Sequence, residues 1–393
     1  MPPPIRALAF ARYRGFRDSH RVELGRLNLV YGENNAGKSA LVRLPALVGE
    51  SRTPGTPGLA LSGAARGGAF RDVRWRGTTD DSDPDLSLGL ELAGGDAWRW
   101  SFRWVRRSVA VIQRAALARG ASTVAIDRDD LEARDVYRKD GVELDPKFDG
   151  VVPGSGVIED APRQALVAAL KSVIWLEAKR EAPSREGFAL GEPGEFTSTG
   201  EKLAPLVARE HELKKRISEW FARHVGAEVE VEQLGADRQR LVLRRSGAEF
   251  DVPFPDAGEG LQQVFAVVTA LEHVRLAGGL LCIEEPESHL HPRLERAVAE
   301  LMVDVLSTQR SASVLLETHS EIFLAAALTA AVERLKGEVR TFWVDVHEGA
   351  SRVEEVPLDA EGRPTTPRFE LAFETMGVMR RELLLRRRAL RGS

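Results

Sequence analysis

The chain has 393 residues, 43% hydrophobic and 29% charged, an ordinary balance for a folded protein that excludes a disordered or collagen-like chain. With 55 Lys and Arg against 59 Asp and Glu the net charge is −4, so any nucleic-acid surface has to be a local patch. No apolar run is long enough to span a bilayer, arginines stand where a signal peptide needs its apolar stretch, and the single Cys282 excludes an intrachain disulfide, which together predict a cytoplasmic protein.

Residues 5–31 read as short strands, the last of them Leu27-Asn28-Leu29-Val30-Tyr31. A Gly-rich turn follows at Gly32, then a helix over about 37–48. Residues 50–68 are a Gly/Pro/Ser loop, and alternating patterns at 86–92 and 98–104 predict a hairpin around Gly94-Gly95. Residues 105–160 read as irregular, with a short strand candidate at 122–126. A helix over 161–171 leads into a strand at 172–176, and apolar spacing predicts one long helix over about 202–225. Strands at 228–232 and 240–245 precede a helix over about 260–276. The nearly all-apolar strand 279–283, helix 292–308, strand 313–316, helix 321–335 and strand 339–344 form a βαβ series with buried parallel strands.

Gly32-Glu33-Asn34-Asn35-Ala36-Gly37-Lys38-Ser39 fits the phosphate-loop pattern GxxxxGK[ST] and lies between an apolar strand and a helix, the context the pattern needs. Glycines let the backbone curl so that its N–H groups, with the helix N-terminus, face phosphates. Lys38 is expected to reach the β and γ phosphates and Ser39 to hold Mg²⁺. Only 9 of the 55 basic residues are lysine, so a lysine in this place is an informative choice against a chance Gly-rich turn.

The strand 280–283 ends in Glu284-Glu285-Pro286-Glu287, at the sheet edge where ligands bind in doubly wound folds. Glu284 suits a metal-side carboxylate and Glu285 a group that orients or deprotonates the attacking water; the plainer alternative is an acid cluster favoured by a helix N-terminus. His289 and His291, just before Pro292, are expected to shape a turn and cap a helix rather than bind zinc. His319 follows the next strand and would face the same edge, within reach of the γ-phosphate. Asp127-Arg128-Asp129 is read as a turn rather than a metal site.

In this order, GENNAGKS, DAGEGLQQVFAVVTAL, LCIEEPESHLHP and LLETHS resemble the ABC-type ATPase heads of the OLD, RecF and SMC-like group. The resemblance implies an α/β P-loop NTPase fold, a mixed or parallel sheet flanked by helices with an inserted α+β region. It implies a discontinuous head of residues 1–103 and 172–345, an insertion at 104–171, a helical and strand lid at 199–255, and a C-terminal extension, 346–393, with a basic helix. Glu284 takes the place of the Walker B acid, with Ser39 as the other metal-side residue. Glu285 is then the catalytic glutamate, His319 the switch histidine and Lys38 the phosphate lysine. Gly32, Asn34, Asn35, Ala36, Gly37, Lys38, Ser39 and Ala40 would bind ATP-Mg²⁺ in one protomer. Gly258 and Gly260, in the place of the signature motif, would cap the ATP of a second, giving a head-to-head homodimer.

Two positions depart from the family pattern. Gly258 replaces the signature serine, leaving backbone N–H groups and the helix end for the γ-phosphate. No Q-loop glutamine stands out; Lys179 and Arg180 are near that place, or form a surface basic pair. The stretch Ile174-Trp175-Leu176-Glu177-Ala178-Lys179-Arg180-Glu181-Ala182-Pro183 and the tail after 345 resemble a bacterial subgroup found in mobile or defence-associated gene clusters. OLD proteins carry a C-terminal Toprim nuclease, whereas only about 70 residues follow the last motif here, so a nuclease or other effector is expected on a separate chain. The basic segment 380–391 is either a solvated amphipathic end or a contact for DNA phosphates or a partner. Two functions stay open: an ATP-hydrolysing switch acting on DNA or within an anti-phage defence complex, and a slowly hydrolysing ATP-bound scaffold that holds the effector. No membrane contact is expected.

Overall fold

The computed structural model describes residues 2–52, 58–77, 86–105, 109–128, 136–144, 148–359 and 362–365. The basic segment 380–391 and Asp129 lie outside the described residues. The chain divides into two compact units, one of residues 1–25, 32–173 and 342–355, the other of residues 26–31, 174–341 and 356–393.

The first unit is built on an eight-stranded antiparallel sheet in the order His20–Glu23, Ile5–Ala11, Leu86–Leu92, Asp96–Val105, Val109–Arg119, Ser122–Arg128, Tyr137–Lys139, Val142–Leu144. The hairpin predicted around Gly94-Gly95 is present, with Leu88 opposite Trp100 and Leu90 opposite Trp98. These four side chains are buried on one face, where Trp98 and Trp100 stack with ring centres 6.1 Å apart. The segment read as irregular supplies the long strand Val109–Arg119 instead. Its alternation is broken by one extra residue: Phe102 faces Ile112 while Ser101 faces Arg114, leaving Gln113 between. Ile112, Ala115 and Leu117 therefore all point inward at a spacing that matches neither strand nor helix, which hid the strand in the sequence. Asp127 ends the strand Ser122–Arg128, rather than a turn, and pairs with Arg114 at 2.9 Å.

In this unit the helix Lys38–Glu50 is buried along most of its length. It is braced by an aromatic turn near the N-terminus. Tyr13 is buried and its hydroxyl donates to the Ala40 carbonyl at 3.1 Å, and Phe10 packs edge-on against Phe16.

In the second unit the sheet order runs Val173–Leu176, Gly279–Glu284, Ala312–Glu317, Leu27–Gly32. The last three pair in parallel. Every residue of Gly279–Glu284 and Ala312–Glu317 is buried, so these strands read as continuous apolar runs rather than alternating ones. The helices Glu259–Ala277, Pro292–Thr308 and Glu321–Arg334 lie within two residues of their predicted ends.

The single helix expected over 202–225 is two, Leu203–Arg209 and His211–Val225, separated by Glu210 in an extended conformation. The buried positions explain the break. Leu206 and Val207 are followed by no large apolar residue until Leu213, so within 208–212 only the half-buried Ala208 is apolar and little there anchors a continuous helix. A smaller antiparallel sheet of Phe188–Ala189, Arg238–Arg244, Glu228–Gln233 and Val252–Pro253 completes this unit. Among the described residues no helix is long and apolar enough to cross a membrane.

The eight-stranded sheet is cross-linked on its surface by Glu91. Its carboxylate accepts from Arg21 Nε and Nη2 at 3.0 and 2.7 Å and from Arg99 Nη2 at 2.7 Å. Hydrogen bonding from Arg21, seconded by Arg99, holds this carboxyl down at about 2. Its contribution is complete above the usual carboxylate range and is lost as pH falls from there towards 2. Glu91→Gln is expected to lower unfolding stability at pH 7 by about 1 kcal/mol, with the gap to wild type closing between pH 4 and pH 2.5. Denaturant titrations at several pH values check this; a gap that does not depend on pH contradicts it.

Candidate active site

The phosphate loop belongs to the first unit. Gly32 has φ 145°, and a Cβ there would lie 2.0 Å from the Val344 carbonyl oxygen. Gly37 has φ 107°, and its Cβ would press on Phe16 at 3.1 Å. The Asn35 backbone is also left-handed, at φ 60°. The loop is thus curled tightly between its neighbours, with Glu33, Asn34 and Asn35 exposed at its tip and Ala36 buried beneath.

Lys38 opens the helix, and its ammonium donates to the carbonyls of Gly32 and Glu33 at 3.0 and 2.6 Å, drawing the loop over itself. Gly37 caps this helix without a side-chain hydrogen bond. Ala40 lies inward and is 7% exposed; its part in any ligand contact is limited to the backbone. Two glycines that no side chain could replace, a lysine ammonium folded over the loop, the Ser39 hydroxyl and the start of a 13-residue helix make a donor set suited to a polyphosphate.

The acids belong to the second unit. Glu284 pairs in register with Glu317, and Glu317 with Val30, so three parallel strands end at one edge. The phosphate loop follows in sequence from the last of these strands. Glu284 is 1% exposed, and its Oε1 accepts from Trp175 Nε1 at 2.8 Å. Glu285 then turns the chain with φ 44°, a left-handed conformation that a non-glycine residue adopts only when its surroundings enforce it. Its amide donates to the Glu317 carbonyl at 3.0 Å. Its carboxylate accepts from Ser288 Oγ at 2.8 Å and stands 3.8 Å from His319 Nε2, an ion-pair distance when the imidazole is protonated. Glu285 and His319 are therefore brought together as expected.

Glu317 was not singled out in the sequence, and Glu287 and Arg180 were not given the roles they take here. Glu317 is 2% exposed, and its carboxylate lies with those of Glu285 and the His319 ring so that one donor atom from each falls within 4.8 Å of the others, a set able to hold a cation. Glu287 ties the acid turn to the histidine loop: its Oε1 accepts from Thr318 Oγ1, His319 N and Ser320 N at 2.8, 2.8 and 3.1 Å. Burial pushes the Glu287 carboxyl above the usual range, while these donors favour its charged form. Arg180 is 3% exposed, not part of a surface pair, and donates through Nη2 to the carbonyls of Glu284 and Glu285. Its reach to the acid turn, 104 positions further on, could not be read from the sequence.

The two glycines of the signature segment differ sharply. Gly258 caps the helix Glu259–Ala277 and has open space where a Cβ would stand. A Cβ on Gly260 would lie 2.6 Å from the carbonyl oxygen of His289, so Gly260 is needed for close approach of helix and turn within the chain itself. His289 is in a left-handed turn at φ 63°, and His291 caps the helix Pro292–Thr308, its Nδ1 accepting from Arg293 N at 3.2 Å.

A family model described as "AAA domain, putative AbiEii toxin, Type IV TA system" matches residues 27–325. No curated protein is similar enough in sequence to match. Among solved structures, the SMC head bound to the C-winged helix domain of ScpA superposes with a TM-score of 0.50 at 12% identity, covering 91% of this chain and 99% of that one. The SMC head domain from Thermotoga maritima gives a TM-score of 0.46 at 10% identity, over 90% and 100% of the two chains. At such identities the first likeness is one of fold.

Gly260→Ala is expected to cost about 1–3 kcal/mol of stability, the usual scale of overpacking. Gly258→Ser should stay within about 0.5 kcal/mol or gain, because serine is a favoured N-cap. Thermal and denaturant unfolding of both variants measure this, and equal losses would contradict the difference in their surroundings.

Proposed function

The chain belongs to this AAA-domain family, and from that premise we propose that it binds and hydrolyses ATP as a switch that dimerises head to head within a DNA-related or anti-phage defence complex. It is a P-loop, ABC-type ATPase domain with the head fold found in SMC proteins. The observation that carries the hydrolytic reading is Glu285, held in a left-handed turn with its carboxylate between Ser288 and His319 at the ends of the parallel strands.

In this reading the loop N–H groups and Lys38 bind the β and γ phosphates. Lys38 exchanges its hold on the Gly32 and Glu33 carbonyls for phosphate oxygens, which costs little because the loop already supplies the curvature. Ser39 and Glu284 would hold Mg²⁺, which supplies charge neutralisation at the phosphates. The Trp175 indole holds one oxygen of Glu284 and so sets the orientation of this carboxylate. Glu285 orients the attacking water and accepts its proton. His319, 3.8 Å from the Glu285 carboxylate, would keep that carboxylate in place and contact the γ-phosphate. The three donors to Glu287 fix the loop that carries this histidine.

Gly258 and the helix after it would cap the nucleotide of a second protomer through backbone N–H groups. Open space at Gly258 supports this; Gly260 is occupied by its own chain's turn and contributes by letting the helix approach. The toxin–antitoxin wording of the family description supports a defence setting with a separate effector chain. The SMC head of the solved structure binds a winged-helix domain, and a protein partner of this kind is proposed here also. A slowly hydrolysing scaffold is the second reading, and the missing signature hydroxyl at Gly258 favours it.

Lys38→Ala is expected to remove ATP binding in calorimetry. Glu285→Gln should keep ATP affinity, lose about 100-fold or more in phosphate release and accumulate as an ATP-bound dimer in light scattering. ATP binding by Lys38→Ala at wild-type affinity would refute the phosphate loop, and a Glu285→Gln variant that stays monomeric at saturating ATP would refute the head-to-head dimer. Phosphate release by the wild type, with and without DNA, separates switch from scaffold.

A further inference from the structure

Arg180 is an expensive residue to bury. A guanidinium withdrawn from water loses several kcal/mol of hydration unless it is well paired, and here only Nη2 is used, while Nε and Nη1 are buried without a hydrogen-bond partner. Burial pushes its pKa down to about 10, and the charges of Glu287, Glu284, Glu285 and Glu177 oppose that shift. It therefore stays a cation at neutral pH, enclosed behind the acid turn. The two carbonyls it grips, those of Glu284 and Glu285, flank the left-handed residue of that turn.

The backbone of Arg180 is itself gripped by one side chain. Gln263, 5% exposed, accepts from Arg180 N through Oε1 at 3.2 Å and donates to Arg180 O through Nε2 at 2.9 Å. An amide that satisfies both backbone groups of one residue fixes its height and its rotation together. Gln263 lies on the helix Glu259–Ala277, five residues after the exposed cap Gly258, or about 7.5 Å along the axis.

Resting on the hydrolytic reading above, we infer that Gln263 and Arg180 are positioning residues that act in series, clamping the Glu284–Glu285 turn to the helix whose N-terminus is Gly258. Neither residue touches the reacting atoms. Their task is to hold a strained backbone so that the Glu285 carboxylate stays between Ser288 and His319. A shift of the helix along its axis carries Gln263, Arg180 and the two carbonyls with it, so the clamp sets the catalytic carboxylate according to where the helix sits.

The test uses the full chain and two variants, Gln263→Met, which keeps length and volume but cannot bond the backbone, and Arg180→Lys, which keeps the charge but not the fork. Hydrogen–deuterium exchange of the ATP-free protein, followed by mass spectrometry, is read for peptides covering 178–182 and 284–290. Gln263→Met is expected to speed exchange in both peptides, and Arg180→Lys in the second. Steady-state kinetics should then show a kcat lowered about 10- to 100-fold, the range for a small misplacement of a catalytic group, with the KM for ATP within about twofold. The double variant should lose no more than the worse single variant, because the two residues act in series. Faster exchange confined to 178–182, or a folded Gln263→Met with wild-type kcat, overturns the inference. Gln263→Met carries the test even where Arg180→Lys does not fold. Wild-type protein that releases no phosphate would fell the hydrolytic reading instead, and the exchange arm would still decide whether the clamp holds the turn.

Discussion

Parallel pairing in the second unit fixes where the chemistry can sit. Leu281, Cys282 and Ile283 face Val314, Leu315 and Leu316 in register, and the pairing continues to Glu284 opposite Glu317 and Glu317 opposite Val30. Six consecutive pairs are matched from Gly279 opposite Ala312 to Glu284 opposite Glu317, and a slip of one residue would leave a buried strand end unpaired. The strands Gly279–Glu284 and Ala312–Glu317 therefore both end on a carboxylate, while the third strand continues two residues past Val30 to Gly32. The left-handed turn at Glu285, the hydrogen bonds to Glu287 and the position of His319 all follow from that common stopping line.

That edge concentrates charge in a way that needs management. Glu284 and Glu317 are nearly removed from water and Glu287 is half-buried, and a carboxylate withdrawn from water has to find donors. Trp175 serves Glu284, the 318–320 backbone and the Thr318 hydroxyl serve Glu287, and the Arg180 cation lies behind the turn as a fixed counter-charge. Held by these partners, the acid turn has its geometry fixed by its own unit before any ligand arrives. The segment 174–181 supplies two of these partners, Trp175 and Arg180.

Elements with a clear period were legible in the sequence. The βαβ series from 279 to 344 was found within a few residues because its strands are continuous apolar runs and its helices begin at Pro292 and after Ser320, where capping chemistry is local. The strand Val109–Arg119 was missed because the bulge at Gln113 shifts its inward positions, and a bulge is decided by the neighbouring strand. The join at Glu210 was missed because Leu206 and Leu213 are seven residues apart, so the apolar spacing keeps a helical period across the break. Gly260 was read from the sequence as part of the signature segment, and the turn at His289 that demands a glycine there could not be seen from spacing.

What the sequence determined by itself was chemistry written in consecutive residues: the loop Gly32–Ser39, the acid pair Glu284-Glu285 after an apolar strand, and His319 after the next one. Each is local, because a phosphate loop is made by one curl of backbone and a strand end by the residues at its end. What only the tertiary structure decided was which distant side chains serve those residues. Arg180 and Gln263 are 83 positions apart and meet through both backbone groups of Arg180. Trp175 and Glu284 are 109 apart. Such contacts are set by packing, which satisfies buried donors and acceptors wherever the fold brings them together, and no period or motif along the chain encodes them.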